Sequence, residues 1–184
     1  MLFRSTCGIA ARNQVHYWED SAVLWTHALE VTKDNFLAEG NVAAILHSMG
    51  KNSEAIAHLN EALRIRPDYA LAHANLGAAL AEEGKFTEAI PHYAEALRLN
   101  PLASNAHNNL GIALARQGNT QEAIREFSEA VRIRPDFAEA HLNLGIALES
   151  QKKTAEAITH FSEALRINPN MREAQRRLAS IQNR

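Results

Sequence analysis

The chain has 184 residues, of which 46% are hydrophobic and 22% are charged, a composition typical of a soluble domain or a short repeat array. Its net charge of −2 provides no basic excess to neutralise phosphates, which argues against a nucleic-acid partner. Because Cys7 is the only cysteine and no early uncharged run approaches the roughly 20 apolar residues of a membrane-spanning helix, we expect a soluble segment without membrane contact of its own, with the cytoplasm favoured as its location.

The first residues follow no repeat, but a regular period begins soon after them. Residues 1–13 are expected to form an irregular or weakly helical lead. From Trp18 on, large apolar residues recur every 34 positions, and an alanine follows each of them three residues later. These apolar residues are Trp25, Leu59, Tyr93, Phe127 and Phe161. Residues 14–32 are therefore predicted to form the second helix of a repeat whose first helix is missing or degenerate.

Four full repeats are predicted to follow, at residues 33–66, 67–100, 101–134 and 135–168. Each has two stretches with the apolar spacing of an amphipathic helix, separated by a turn sequence such as Gly84-Lys85, and each is followed by a proline. These prolines are Pro67, Pro101, Pro135 and Pro169. Residues 169–184 are predicted to form a polar helix that caps the array. No sustained alternation of period two is present, so we predict ten helices and no strands.

One proline, Pro91, does not fit the period. It falls several residues into a predicted helix, where it removes a backbone hydrogen bond and crowds the preceding turn. We expect a local kink near residues 87–91.

The 34-residue unit of two helices with a proline stop resembles the tetratricopeptide repeat family. The resemblance extends from about Trp18 to the end of the chain, and in the second repeat it rests on Leu76, Gly77, Leu80, Gly84, Phe86, Ala89, Tyr93, Ala96 and Pro101. The family's tryptophan near the start of each first helix is replaced by His73, His107 and His141. The resemblance implies an all-α fold, a right-handed α-solenoid (superhelix) of stacked antiparallel helix pairs with a concave channel.

The sequence shows no set of residues suited to catalysis, metal binding or cofactor binding. Histidines recur once per repeat, and neighbouring repeats lie about 10 Å apart, which is too far for one ion with bonds near ~2 Å. We find no nucleophile with a nearby base and no glycine-rich phosphate loop. We therefore expect a chain that is not itself an enzyme and holds no metal or cofactor, although it could be the non-catalytic part of an enzyme.

Asparagine recurs at one position of every first helix, although it is a mediocre helix former. These residues are Asn41, Asn75, Asn109 and Asn143. Two interpretations are open. Each side chain could bond a neighbouring helix or turn, or the four amides could form a row along the concave channel that binds the main chain of an extended peptide. The second interpretation, which we favour, resembles the asparagine ladder in the repeat arrays of the nucleocytoplasmic O-linked N-acetylglucosamine transferases.

The residues expected beside this row are small, apolar and nearly uncharged. In addition to the asparagines of the row, the predicted peptide-binding positions are Ala78, Asn108, Ile112, Leu142 and Ile146. Some members of the family grip acidic tails with a basic clamp, which Arg116 and Arg176 alone do not provide. An acidic carboxyl-terminal tail is therefore a poor candidate ligand.

We predict a non-catalytic protein–protein interaction module that binds extended peptide segments in a concave groove. Two alternatives are open. The chain could be the substrate-recruiting portion of a larger glycosyltransferase-type enzyme and the extramembrane part of a membrane protein, since residues 17–21 with Leu24 and Trp25 resemble the segment that opens the soluble repeats of bacterial tetratricopeptide membrane proteins. Exposed end helices could also stack into a weak homo-oligomer that acts as a scaffold.

Overall fold

The computed structural model of the protein describes residues 21–182. This part of the chain contains ten α-helices and no strand, so the predicted all-α solenoid of stacked helices is confirmed. The helices are α1 (Ser21–Val31), α2 (Phe36–Ser48), α3 (Asn52–Ile65), α4 (Ala70–Glu82), α5 (Phe86–Leu99), α6 (Ser104–Arg116), α7 (Thr120–Ile133), α8 (Ala138–Ser150), α9 (Thr154–Ile167) and α10 (Arg172–Gln182). The predicted lead at 1–13 and the first residues of the helix predicted at 14–32 lie outside the described residues.

The helices belong to two compact units, the first ending at Ala79 and the second beginning at Leu80. In the first unit, α1 packs against α2 and α2 packs against α3. The side chains buried between these helices are mostly small: Ala38, Val42, Ala43, Ala55, Leu59 and Ala62. Small residues in the interface allow the two helix backbones to approach closely, so this unit is held together by helix packing over a narrow apolar core.

Tyr69, in the connection between α3 and α4, covers one face of α2. Its ring meets the ring of Phe36 edge to face, with the ring centres 5.1 Å apart. A Cβ atom at Gly40 would lie 3.0 Å from a ring carbon of Tyr69, so only glycine fits there without displacing the ring. The first repeat therefore has its close glycine contact at Gly40, whereas Ala43 occupies the position where the later repeats have a glycine.

In the second unit, consecutive helices from α5 to α10 pack against one another in turn, and α6 also contacts α8. The large residues of the 34-residue period fill the space between the helices. Tyr93, Phe127 and Phe161 come from the second helix of successive repeats, and each is at most 2% exposed. Because every repeat contributes one such ring, each interface repeats the packing of the one before it.

The mid-helix glycines of the second unit lie directly under these rings. A Cβ atom at Gly111 would lie 2.6 Å from Cε1 of Phe127, and one at Gly145 would lie 2.6 Å from Cε1 of Phe161. Both distances are far shorter than carbon atoms tolerate without displacement. Glycine is thus required here for contact with an aromatic ring, although it costs about 1 kcal/mol of helix propensity relative to alanine.

The two helices of a repeat are joined by a turn that needs a left-handed residue. Gly118 has φ of 85° between α6 and α7, and the equivalent Lys152 has φ of 61° between α8 and α9. Since a lysine adopts this backbone conformation in the fourth repeat, the turn geometry is set by the packing of the two helices and not by glycine alone. Helix α5 continues through Pro91 as a single α-helix, and the kink near this residue stays a prediction.

Candidate functional site

A groove of about 510 Å³ opens in the second unit between α6 and α8, the first helices of successive repeats. It is lined by Ile112, Ala115, Arg116, Thr120, Phe127, Asn143, Ile146, Ala147 and Ser150. The ring of Phe127 contributes to this lining although it is only 2% exposed. The groove is therefore mainly apolar, with the amide of Asn143 on one side and the guanidinium of Arg116 as the only charged group among the lining residues.

Three of the predicted peptide-binding residues line this groove, namely Ile112, Asn143 and Ile146. Asn109 and Leu142 are half-buried on the same two helices, outside the lining. Asn108 is 5% exposed and therefore lies inside the helix packing instead of on an open surface. A peptide-binding role for these residues stays a prediction. Ile112, Asn143 and Ile146 are placed where a ligand in the groove could contact them, whereas Asn108 is buried.

Three asparagine side chains of the second unit are joined by hydrogen bonds. Nδ2 of Asn143 donates to Oδ1 of Asn108, at 2.9 Å, which connects α8 to α6. Nδ2 of Asn108 in turn donates to Oδ1 of Asn109, at 3.3 Å. The recurring asparagine therefore has a structural partner in this unit, as the first interpretation of the row expected, while Asn143 also lines the groove.

The remaining predicted positions, Asn41, Asn75 and Ala78, lie in the first unit. Asn41 is on α2, Asn75 and Ala78 are on α4, and all three are half-buried. Nδ2 of Asn41 donates to the carbonyl oxygen of Leu37 one turn earlier, at 2.7 Å. This bond inside its own helix uses one of the two N–H groups of Asn41.

Several groove residues were missed from the sequence. Thr120 and Phe127 come from the second helix of the repeat, for which the sequence predicted no contact with a ligand. On α8 the lining residues are Asn143, Ile146, Ala147 and Ser150, which are spaced as i, i+3, i+4 and i+7. From the sequence, Leu142 was expected beside Asn143 and Ile146, but it lies outside the lining. A helical face drawn from the asparagine itself would have found all four positions.

A second feature missed from the sequence is a polar pair that joins the two helices of a repeat. It links residues 19 apart, and its members are Glu39 with His58, His107 with Glu126, and His141 with His160. The closest atoms of these pairs are 2.6, 2.7 and 3.1 Å apart, respectively. The 34-residue period relates each residue of a pair to the corresponding residues of the other repeats. It does not show which residue of the same repeat lies opposite.

The pairs of the third and fourth repeats shift the pKa of a histidine in opposite directions. Nε2 of His107 lies 3.1 Å from the carbonyl oxygen of Pro101 and Nδ1 lies 2.7 Å from Oε2 of Glu126, so a protonated ring can donate to both oxygen atoms. The hydrogen bond to Glu126 raises the pKa of His107 above its ordinary value of 6.5, although burial acts against it. In the fourth repeat, burial and then the neighbouring His141 lower the pKa of His160 below 6.5.

These opposite shifts predict opposite pH dependence. Because the pKa of His107 is raised on folding, its stabilisation is fully present below about pH 6.5 and is lost as pH rises through the folded pKa. Glu126→Gln is therefore expected to lose about 1–2 kcal/mol of unfolding free energy near pH ~5.5 and clearly less near pH ~8.5. Urea unfolding at the two pH values measures the difference.

The matched control for that experiment is His160→Gln in the next repeat. The lowered pKa of His160 gives a stabilisation that is present above about pH 6.5 and is lost as pH falls. Relative to the unmodified protein, this variant should gain stability as the solution is made more acidic. Equal losses at both pH values for Glu126→Gln would contradict the assignment of His107 as a protonated donor.

Solved structures with the same fold are of repeat proteins. The MamA crystal structure matches with 21% identity and a TM-score of 0.74, covering 86% of this chain and 93% of that one. The PilF protein of Pseudomonas aeruginosa matches with 27% identity and a TM-score of 0.74, covering 80% and 68%. YrrB, described as a TPR protein with an unusual peptide-binding site, matches with 22% identity and a TM-score of 0.53, covering 84% and 97%. None of the curated proteins matches the sequence.

Models of one repeat family match most of the folded region. A model described as tetratricopeptide repeat matches residues 79–136 and 109–172, which together span more than half of the chain. A second model, described as TPR repeat, matches residues 43–84. Within residues 21–182, no helix has both the length and the apolar character needed to cross a membrane. The chain therefore belongs to the tetratricopeptide repeat family, whose helical arrays are non-catalytic modules for protein–protein interaction.

Proposed function

We propose that the groove of the second unit binds an extended peptide segment of a protein partner. The observation that carries the proposal is the position of Asn143, which lines the groove together with the apolar residues Ile112 and Ile146. The volume of about 510 Å³ falls in the range of ordinary ligand pockets. A groove of this size accepts one or two side chains of a peptide while its main chain passes over the rim.

The chemistry of the groove fits a peptide better than a polar small molecule. An amide offers N–H and C=O groups that match those of a peptide main chain. Ile112, Ile146 and the ring of Phe127 favour an apolar ligand side chain, because burial of apolar surface drives association. The net charge of −2 argues against nucleic acid. YrrB, which is described as having an unusual peptide-binding site, has a similar fold and supports the proposal by analogy.

The test is a binding screen against an array of short peptides with blocked termini, followed by a variant that carries Asn109→Ala and Asn143→Ala. Contacts to the ligand main chain are common to all peptides, so every captured peptide should weaken alike, by about 0.5–1.5 kcal/mol for each lost bond. Asn60→Ala, an exposed asparagine on α3 of the first unit, is the matched control and should leave binding unchanged. Isothermal titration of the captured peptides measures the affinities.

Stability has to be measured on the same variant, because Asn143 also bonds Asn108. We expect the double variant to lose about 1 kcal/mol of unfolding free energy, so binding is measured far below its melting transition. Loss of binding only where the variant unfolds would contradict the proposal. Absence of any captured peptide, with light scattering that rises with protein concentration, would instead favour the homo-oligomeric scaffold.

A further inference from the structure

We infer that Asn108 is a positioning residue that orients the amides of Asn109 and Asn143 and so gives the groove a preferred direction for the ligand main chain. The inference rests on the proposed function, because it concerns the direction in which a peptide binds in the same groove. Asn108 is only 5% exposed, so we do not expect it to contact the ligand directly. It acts through its two hydrogen bonds to neighbouring asparagines.

The sequence gives no packing reason for an asparagine at this position. The equivalent positions of the second and fourth repeats hold Ala74 and Leu142, both apolar. A buried amide is costly unless its polar atoms are hydrogen-bonded, and Asn108 meets this requirement with one bond accepted and one donated. The residue is thus specific to the repeat that contributes α6 to the groove, which points to a local role there.

The two bonds leave different atoms available on the two neighbours. Asn143 donates one of its N–H groups to Asn108, so its carbonyl oxygen and its other N–H group remain available for a ligand. Asn109 has its oxygen engaged by Asn108, so both of its N–H groups remain. Acceptor capacity is therefore greater at Asn143, which lines the groove, and donor capacity is greater at Asn109, which lies outside the lining, three residues before Ile112 on α6.

A peptide main chain distinguishes these two ends. Its N–H groups are best placed at the oxygen of Asn143, and its carbonyl groups are best placed at the N–H groups of Asn109. Without Asn108, each amide could rotate by half a turn and exchange its oxygen and nitrogen at little cost. Asn108 removes this freedom, so the ligand is expected to bind with one main-chain direction and not both.

The test uses Asn108→Leu, which copies the residue that the fourth repeat has at the equivalent position and is therefore expected to fold. The probe is the tightest peptide captured by the array. Its affinity should fall about three- to tenfold, the equivalent of one or two neutral hydrogen bonds. In a background of Asn143→Ala the same substitution should have a clearly smaller effect on affinity, because Asn108 then orients only the amide of Asn109. Losses that multiply in the double variant would overturn the inference.

Two further measurements separate positioning from a merely structural role. In the ligand-free protein, the side-chain amide protons of Asn143 should show one hydrogen-bonded signal by NMR, and Asn108→Leu should abolish it. The ligand amides are then replaced one at a time by esters, each of which removes one N–H group. One of these replacements should lower the affinity for the unmodified protein but not the affinity for the Asn143→Ala variant. If the effect of every ester is the same with and without Asn143, then Asn143 does not determine the main-chain direction of the ligand.

These results also separate the inference from the function on which it rests. If the array captures no peptide, the proposed function fails. If peptides are captured and weakened by Asn143→Ala, but Asn108→Leu leaves affinity and the amide signals of Asn143 unchanged, the groove binds peptides and only the positioning role is wrong.

Discussion

Gly111→Ala is expected to lower the free energy of unfolding by about 1–2 kcal/mol, although alanine is the better helix former by about 1 kcal/mol. The added methyl group would lie 2.6 Å from Cε1 of Phe127. That ring is 2% exposed and lies between the helices and the groove that it lines, so the added methyl group must displace the ring from its packing or push α6 and α7 apart. Urea unfolding followed by circular dichroism measures the loss.

A double variant tests whether the ring is the cause. In the first repeat the equivalent positions hold Ala43 and Leu59, both fully buried, so alanine occurs where the facing period residue is aliphatic. Phe127→Leu should therefore relieve the clash, and the two substitutions together should cost at least about 1 kcal/mol less than the sum of the two single losses. Additive losses would show that Gly111 is needed for a reason other than contact with Phe127.

The positions of the helices could be predicted because strong local signals mark their ends. Helix α5 begins at Phe86, directly after Gly84-Lys85, and ends at Leu99, two residues before Pro101. Glycine supplies the left-handed turn, and the proline cannot continue a helix whose carbonyl groups need a following N–H group. Since these signals recur every 34 residues, an error in one repeat is corrected by its equivalents.

The rotation of each helix about its own axis was harder to predict. Neighbouring residues on a helix point about 100° apart, and of Leu142 and Asn143, which were both expected at the groove, only Asn143 lines it. For the same reason Asn108 was expected in the channel, whereas it lies between α6 and α8. The apolar pattern of a first helix runs around most of its surface, because one side packs within the repeat and another packs on the next repeat. Such a pattern defines a helix without defining its open face.

The histidine pairs show a second limit. His107 and Glu126 are brought together only when two helices of known length fold back through a turn of known geometry. The 19-residue separation spans more than five helical turns, whereas contacts inside one helix join residues three or four positions apart. Once the turn and both helices are placed, however, the same separation recurs in three repeats and identifies the pairs without further information.

Pro91→Ala is expected to raise the free energy of unfolding by about 1–3 kcal/mol. Pro91 is the sixth residue of α5, where an N–H group would bond the carbonyl of Thr87 and where the proline ring crowds the preceding turn. Alanine restores the missing donor and is the best helix former, although part of the gain is offset because proline also restricts the unfolded chain. Pro91 is exposed, so the substitution removes no core packing. Urea unfolding measures the change.

The reciprocal substitution provides the matched control. Arg125 is the sixth residue of α7, occupies the position equivalent to Pro91 and is likewise exposed. Arg125→Pro should cost about 3 kcal/mol, because a helix that now has a complete set of bonds loses one and gains the clash. Arg125→Ala should change stability by less than about 0.5 kcal/mol, since the ion pair of Arg125 with Glu122, at 3.7 Å, lies on the surface. If Pro91→Ala left the unfolding free energy unchanged while Arg125→Pro lowered it, the local structure around Pro91 would already have absorbed the cost of the proline.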